Sequence, residues 1–327
     1  MRRARAVAVM LLVLTAAAGC EQTPNPQPVP LPSSAAGLAW RQIAPAPSAR
    51  TEVAAAVRGN FVYVMGGFRG DGATVATVEV LDIGKATWTA GPDLPEAVNH
   101  AMAATVANVV HVFGGYRADG TPSDRAYRLG LQGWQRIANL PEGRAAGTAV
   151  GIGDSAYVAG GIAPGGGLAR QMLVYAPGSD HWSTAPGPPT PREHLGGAAV
   201  GGTFYTVAGR TRGAGNLAAF EAYDTATGQW TKLPDVPTPR GGLGAAATCT
   251  GHVVAIGGEA AATFPEVEAY DTRSGDWRSL PPLPTPRHGL GVAAIDAVLY
   301  VLAGGPHPGL HVADSAEVLD VSALGGC

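Results

Sequence analysis

Arginine recurs in this sequence in one local pattern. Arg50, Arg144, Arg192, Arg240 and Arg287 each stand just ahead of a run of small residues and close behind a proline. Beside them lie Glu52, Asn99, His100, Glu193, His194 and His288. Guanidinium groups gathered around one point hold a carboxylate, sulfate or phosphate through forked hydrogen bonds. With Asn99, His100 and His288 they make a candidate ligand-binding set. A histidine beside a carboxylate supplies general acid–base chemistry, and Glu193 with His194 is the candidate catalytic pair. The competing reading is structural: an arginine that returns with a repeat binds neighbouring carboxylates and carbonyls of its own unit. His100, His194 and His288 come from alternate units, and three imidazoles can ligate a metal. They do not align, however. His100 and His194 stand two places beyond the arginine position and His288 only one, so in an extended strand they point to opposite faces. The expectation is that no metal and no other cofactor is held.

A repeat of about 47 residues positions these groups. All six tryptophans, at 40, 88, 134, 182, 230 and 277, fall on it, with spacings of 48, 46, 48, 48 and 47. So does an apolar run closing on Gly-Gly, its first glycine at 66, 114, 160, 209, 257 and 304; the fourth copy reads Gly209-Arg210. Each unit runs in the same order. A small-residue strand is followed by a second strand ending in the glycines, a longer loop, a third strand such as VEVLDI or FEAYDT, and a fourth that carries the tryptophan. Four strands per unit with Gly and Trp markers specify a propeller blade. Alanine and glycine in the first strand suit the crowded axis, and tryptophan suits the wider rim. Trp40 has no strands of its own unit before it, and the last unit has no tryptophan after AEVLDV. The segment LAWRQI is therefore expected to complete the last blade and close the ring, leaving no open edge. The fold class is all-β: a six-bladed β-propeller of four-stranded antiparallel blades.

The pattern Arg50…Gly66-Gly67…Glu79…Trp88, with close parallels in units four to six, resembles the kelch repeat over residues 38–321. Units two and three depart from it: Val98 stands at the arginine position, and RAYRLG and MLVYAP lack the glutamate. Strand alternation puts the second-to-third loops, among them FRGDGATVA, YRADGTPSD and PHPGLHVADS, on one face with the channel mouth. Long loops on a rigid scaffold are where binding concentrates, and the kelch resemblance implies ligand binding on this same face. Galactose oxidase shares the kelch-type propeller, but its copper site needs a Tyr–Cys crosslink, and the one blade cysteine, Cys249, sits on an inner strand. A distant likeness to the N-acetylneuraminate epimerases implies a second possibility. There the channel arginines would hold a sugar carboxylate while Glu193 or His194 moves the proton. GGIAPGGG, with no helix and no Lys-Ser/Thr after it, is not a phosphate loop.

Residues 1–19 read as a signal peptide, a basic start followed by an apolar run too short to span a bilayer. Ala17-Ala18-Gly19-Cys20 resembles a bacterial lipobox, which implies acylation of Cys20. Residues 20–37 carry prolines at 24, 26, 28, 30 and 32 and form an extended tether. Cys249 and Cys327 remain as a candidate disulfide pinning the tail, residues 322–327, in an oxidising compartment. Only 14% of residues are charged, with 47 Gly and 27 Pro, which excludes a helical bundle or a charged disordered chain. The net charge of −3 becomes −6 without Arg2, Arg3 and Arg5, which argues against nucleic acid. The functional expectation is a monomeric, lipid-anchored propeller on the extracytoplasmic side. It binds an envelope protein, peptide or acidic glycan through the long-loop face; the alternative is a sugar epimerase or mutarotase.

Overall fold

Within each repeat the strands are four to six residues long and joined by tight turns, so each pairs with its sequence neighbours. In the computed structural model this yields six four-stranded antiparallel sheets. The structure describes residues 37–327; the leader, Cys20 and the proline-rich tether lie outside the described residues. Blade one consists of Ala54–Arg58, Phe61–Met65, Val78–Asp82 and Thr87–Ala90. Blades two to six begin with Met102–Val106, Thr148–Ile152, Gly196–Val200, Gly244–Ala247 and Gly291–Ile295. Blade six is completed from the front of the chain: Arg41–Gln42 pairs with Ala316–Asp320, Gln42 opposite Glu317 and Arg41 opposite Val318.

The first strands crowd the axis so closely that side chains are excluded in places. A Cβ on Gly151 would run into the Thr105 carbonyl, and one on Gly244 into Val292. Further out, the space between blades is filled by larger groups. Phe113 and Trp182 meet edge to face between blades two and three, with ring centroids 5.4 Å apart. Phe220 and Trp277 do the same between blades four and five at 5.0 Å.

Two rings of equivalent hydrogen bonds tie each blade to the next. Every tryptophan donates its indole N–H to a carbonyl at or just beyond the end of the preceding blade's outer strand, at 2.8–2.9 Å. The closing member, Trp40 to the Pro281 carbonyl, joins residues 241 apart in sequence. Nearer the axis, the amide of the second residue in each glycine doublet donates to the carbonyl at the next blade's arginine position. The donors are Gly67, Gly115, Gly161, Gly209, Gly258 and Gly304, at 2.7–2.9 Å. This ring corrects the register expected for the doublet. In blades four and six the pair is Ala208-Gly209 and Ala303-Gly304, with both alanines in the left-handed region. Arg210 is thus the residue after the doublet rather than part of it.

The recurring arginines sit at these joints. Arg50, Arg192, Arg240 and Arg287 are fully buried and ion-paired at 2.6–2.9 Å with Glu79, Glu221, Glu268 and Glu317. Each glutamate also accepts a hydroxyl two residues before the arginine, from Ser48, Thr190, Thr238 or Thr285. Blades two and three lack the glutamate and move the acid instead. Glu142 stands where the hydroxyl would be and faces Arg144 at 3.4 Å, and Glu96 takes Arg117 at 2.9 Å where Val98 replaces the arginine. On the face opposite the long loops, Cys249 and Cys327 are joined with Cα atoms 5.1 Å apart, and the Cys249 amide donates to Asp296 of blade six. The disulfide fastens the tail beyond the 3-10 turn Ser322–Leu324 to blade five.

Four outcomes follow from this architecture. Removing one partner of a fully buried ion pair strands the other charge, so Glu317→Ala should cost about 3–5 kcal/mol in chemical denaturation. Lys85→Ala, which removes an exposed partner of Asp82, should leave the denaturation midpoint nearly unchanged. Cys249→Ser should lower stability by about 2–4 kcal/mol, and a reductant should then have no further effect on the variant while reproducing the loss in the parent. Finally, burial depresses the pKa of His252 despite Asp271 nearby. The unfolded imidazole protonates first, near 6.5. This contribution is therefore full above that value and lost as pH falls through the window below it. The decline in melting temperature between pH 7 and pH 5 should be smaller in His252→Gln than in the parent.

Candidate functional site

The chain approaches the channel mouth six times, and each time it turns sharply two residues beyond the arginine position. Glu52, His100, Ala146, His194, Gly242 and Gly289 occupy these turns with φ between 52° and 68°. Non-glycine residues hold that left-handed conformation only where the surroundings over-determine it. Here a third ring of backbone bonds does so. His100 donates to Glu52, Ala146 to His100, His194 to Ala146, Gly242 to His194 and Gly289 to Gly242, at 2.7–3.0 Å, and Val53 closes the circle onto Gly289 at 3.3 Å. His100 and His194 lie at these turns, whereas His288, one place after its arginine, lies in an antiparallel bridge to Gly305 and comes to the cluster from a different register position, as its offset in the sequence led one to expect.

Of the expected anion-binding set, the five arginines are corrected. Arg50, Arg144, Arg192, Arg240 and Arg287 are fully buried, and their guanidinium groups bind glutamates and carbonyls of their own blades rather than the channel. Burial lowers the pKa of each and the paired glutamate pulls it back up; a guanidinium stays protonated throughout.

Asn99, His100, Glu193, His194 and His288 do converge, with Glu52 at their centre. Glu52 faces His100 Nε2 with one oxygen and His288 Nδ1 with the other, both at 3.1 Å. The His100 and His194 rings meet edge to face with centroids 4.7 Å apart. His194 Nδ1 contacts the Glu193 carboxylate. Asn99 is buried; its Nδ2 donates to Thr74 at 2.9 Å and its Oδ1 lies 2.6 Å from His100 Nδ1. One ligand atom from each of Glu52, His100 and His194 lies within 4.8 Å of the others.

Two members of the cluster were missed by sequence reasoning. Arg210 pairs with Glu259 at 2.7 Å and approaches Glu193 at 3.4 Å, while Glu259 also accepts the Gly309 amide at 3.1 Å. Both residues follow a glycine doublet, the place where other blades carry Phe68, Tyr116 and Ile162. The signal was present as the apparent break at Gly209-Arg210, which marks a charged residue at an otherwise apolar position.

The electrostatics divide the cluster. Burial opposes ionisation of Glu52, but His100, His288 and His194 outweigh it and hold its pKa far below the usual carboxylate range. Burial pushes His100 down to about 4, against the pull of Glu52. For His288 burial also acts downward, yet Glu52 and Glu259 prevail and its pKa is raised. Glu193 is lowered, since His194 and Arg210 more than offset its burial.

Above the cluster the long loops form a bowl. A cavity of about 190 Å³ is floored by Glu52, His100 and His194 and walled by Arg210, Glu259, His288 and Leu310. It adjoins a second cavity of about 430 Å³ between the Phe68 and Tyr116 loops, with Asn99 and His100 at its base and exposed Arg212 at its rim. Phe68 and Tyr116 both stand edge to face with His100, at 6.0 and 5.6 Å.

Comparison with known proteins bears on the fold. The profile of the KLHDC2/KLHL20/DRC7 Kelch-repeats domain matches residues 138–305, and that of the Kelch motif matches residues 49–95. No curated protein matches the sequence. Among solved structures, one described as "Structure of YjhT" superposes with a TM-score of 0.72 at 16% identity, covering 84% of this chain and 95% of that one. At that identity the likeness concerns architecture alone. With six blades built on one arginine, glycine and tryptophan lattice, and with more than half of its length matched, the chain belongs to the kelch-repeat family.

Proposed function

We propose that this chain is an exported, lipid-anchored propeller that binds a polar ligand, either a glycan or a peptide segment of an envelope partner, through its long-loop face. The observation that carries the reading is the continuous bowl. Two aromatic rings flank a 430 Å³ space that opens onto the histidine and glutamate cluster at the channel mouth. Sites for small ligands are concave, of this order of volume, and combine apolar walls with a few converging polar groups. The bowl has all three, on loops carried by a scaffold closed through three rings of hydrogen bonds. The export reading rests on the leader ending in Cys20, the proline spacer, and a disulfide suited to an oxidising compartment.

Binding is favoured over sugar chemistry by the state of the cations. The epimerase reading needs free guanidinium groups for the substrate's carboxylate. The five recurring arginines are buried and Arg210 is held between Glu193 and Glu259, so exposed Arg212 at the rim, rather than a ring of channel guanidinium groups, is what remains for an anion.

A thermal-shift panel of neutral and acidic oligosaccharides and short peptides tests the reading. At least one compound should raise the melting temperature. Tyr116→Ala and Phe68→Ala should each weaken that compound by about 2 kcal/mol, as loss of a buried aromatic anchor does. Leu131→Ser, on an exposed turn of the opposite face, should leave it unchanged. A panel without a single shift, or shifts indifferent to both aromatic substitutions, would count against the loop face as a binding surface.

A further inference from the structure

We infer that Glu52, His100 and His194 form a site for one divalent transition-metal ion of the zinc type, held at the channel mouth by blades one, two and four. The argument is geometric and independent of what the bowl above it binds. Asn99 sets the tautomer of His100. Its 2.6 Å contact with His100 Nδ1 is too short for an amide NH₂ facing a ring nitrogen and fits an oxygen accepting from N–H. The other end of the same amide is anchored on Thr74. Nδ1 is thereby engaged as a donor, and Nε2 is the nitrogen turned to the centre. It lies 3.1 Å from a carboxylate oxygen of Glu52. A cation bound by both fits between them.

His194 is prepared in the same way. The Glu193 carboxylate engages Nδ1 and leaves Nε2 for the centre. An imidazole whose second nitrogen is held by a carboxylate or carbonyl oxygen is the usual state of a metal-bound histidine, because the outer partner fixes tautomer and ring angle. His288 is different. Its Nδ1 faces Glu52 and Glu259, and its Nε2 faces the carbonyls of His307 and Gly309 at 3.1 and 3.0 Å. All of these are acceptors, so both nitrogens donate and His288 is an imidazolium that positions Glu52, not a ligand.

The donor set selects the ion. Two imidazoles with one carboxylate select zinc-like ions over calcium or magnesium. Metal–ligand bonds of about 2.1 Å place tetrahedral donors roughly 3.4 Å apart. Glu52 and His100 already meet that spacing, and the 4.8 Å limit of the full set closes with a small movement of His194. The remaining coordination position opens into the loop-face cavity.

The test uses the purified chain, stripped with a chelator and titrated with Co²⁺ alone, followed by visible absorption and calorimetry, with Zn²⁺ as competitor. One Co²⁺ should bind per chain, with ligand-field bands that Zn²⁺ abolishes. His100→Ala and His194→Ala should weaken binding by at least a hundredfold, checked against retained circular dichroism. Asn99→Ala touches no metal and should weaken it by about 10- to 100-fold, whereas His288→Gln should still bind. The inference fails if the parent shows no saturable binding below millimolar Co²⁺, or if binding persists undiminished in both histidine variants. Neither result depends on the saccharide and peptide panel.

Discussion

The arginine found at five of the six blade joints is the interaction on which the rest of the fold depends. Its carbonyl accepts an amide from the preceding blade, while its guanidinium reaches into its own blade to a buried glutamate and to strand carbonyls. A single residue thus registers two sheets against each other and satisfies polar groups that would otherwise be buried without partners. The glutamate is fixed in turn by a serine or threonine two places upstream. Where blades two and three lose the glutamate, an acid appears at the hydroxyl position, so the joint keeps a carboxylate even when its components change places.

Much of this was legible in the sequence because repetition converts weak local signals into a strong periodic one. Six tryptophans on one lattice, with Trp40 out of order, required closure through the N-terminal strand, and the Pro281 and Glu317 contacts are that closure. The candidate site was legible only in part. Its position at the arginine turns was readable, since Glu52, His100, His194 and His288 cluster there. The roles were not. Which of three consecutive residues faces the blade, the joint or the channel depends on a left-handed turn, and non-glycine residues adopt that conformation too rarely to be anticipated from type alone. Arg210 escaped for a related reason. The glycine doublet tolerates Ala208 in its first place, which shifted the apparent frame by one residue and hid the arginine inside the motif.

Symmetry explains why the mouth can carry chemistry at all. A sixfold ring of identical turns would place six like side chains against each other at the axis, and large or charged groups could not all be accommodated. The chain resolves this by leaving three turns nearly empty. Gly289 is the clearest case: a Cβ there would lie 2.6 Å from the Glu52 carboxyl carbon. Ala146 and Gly242 likewise yield space, so that Glu52, His100 and His194 approach one another. Departure from the repeat is therefore what assembles the cluster, whereas adherence to it maintains the scaffold.

The three positions after the proline turn then acquire separate tasks from one backbone trajectory. The first, arginine, points into its own blade and is wholly consumed by structure. The second, as in Asn99 and Glu193, bridges to the residue after the glycine doublet of the same blade and becomes the partner that orients a neighbour. The third turns left-handed and projects onto the axis. Because the backbone ring that holds these third residues is made of main-chain bonds alone, their side chains can be exchanged without disturbing the closure. On this plan the side chains at a few turn positions can change while the joint arginines stay in place.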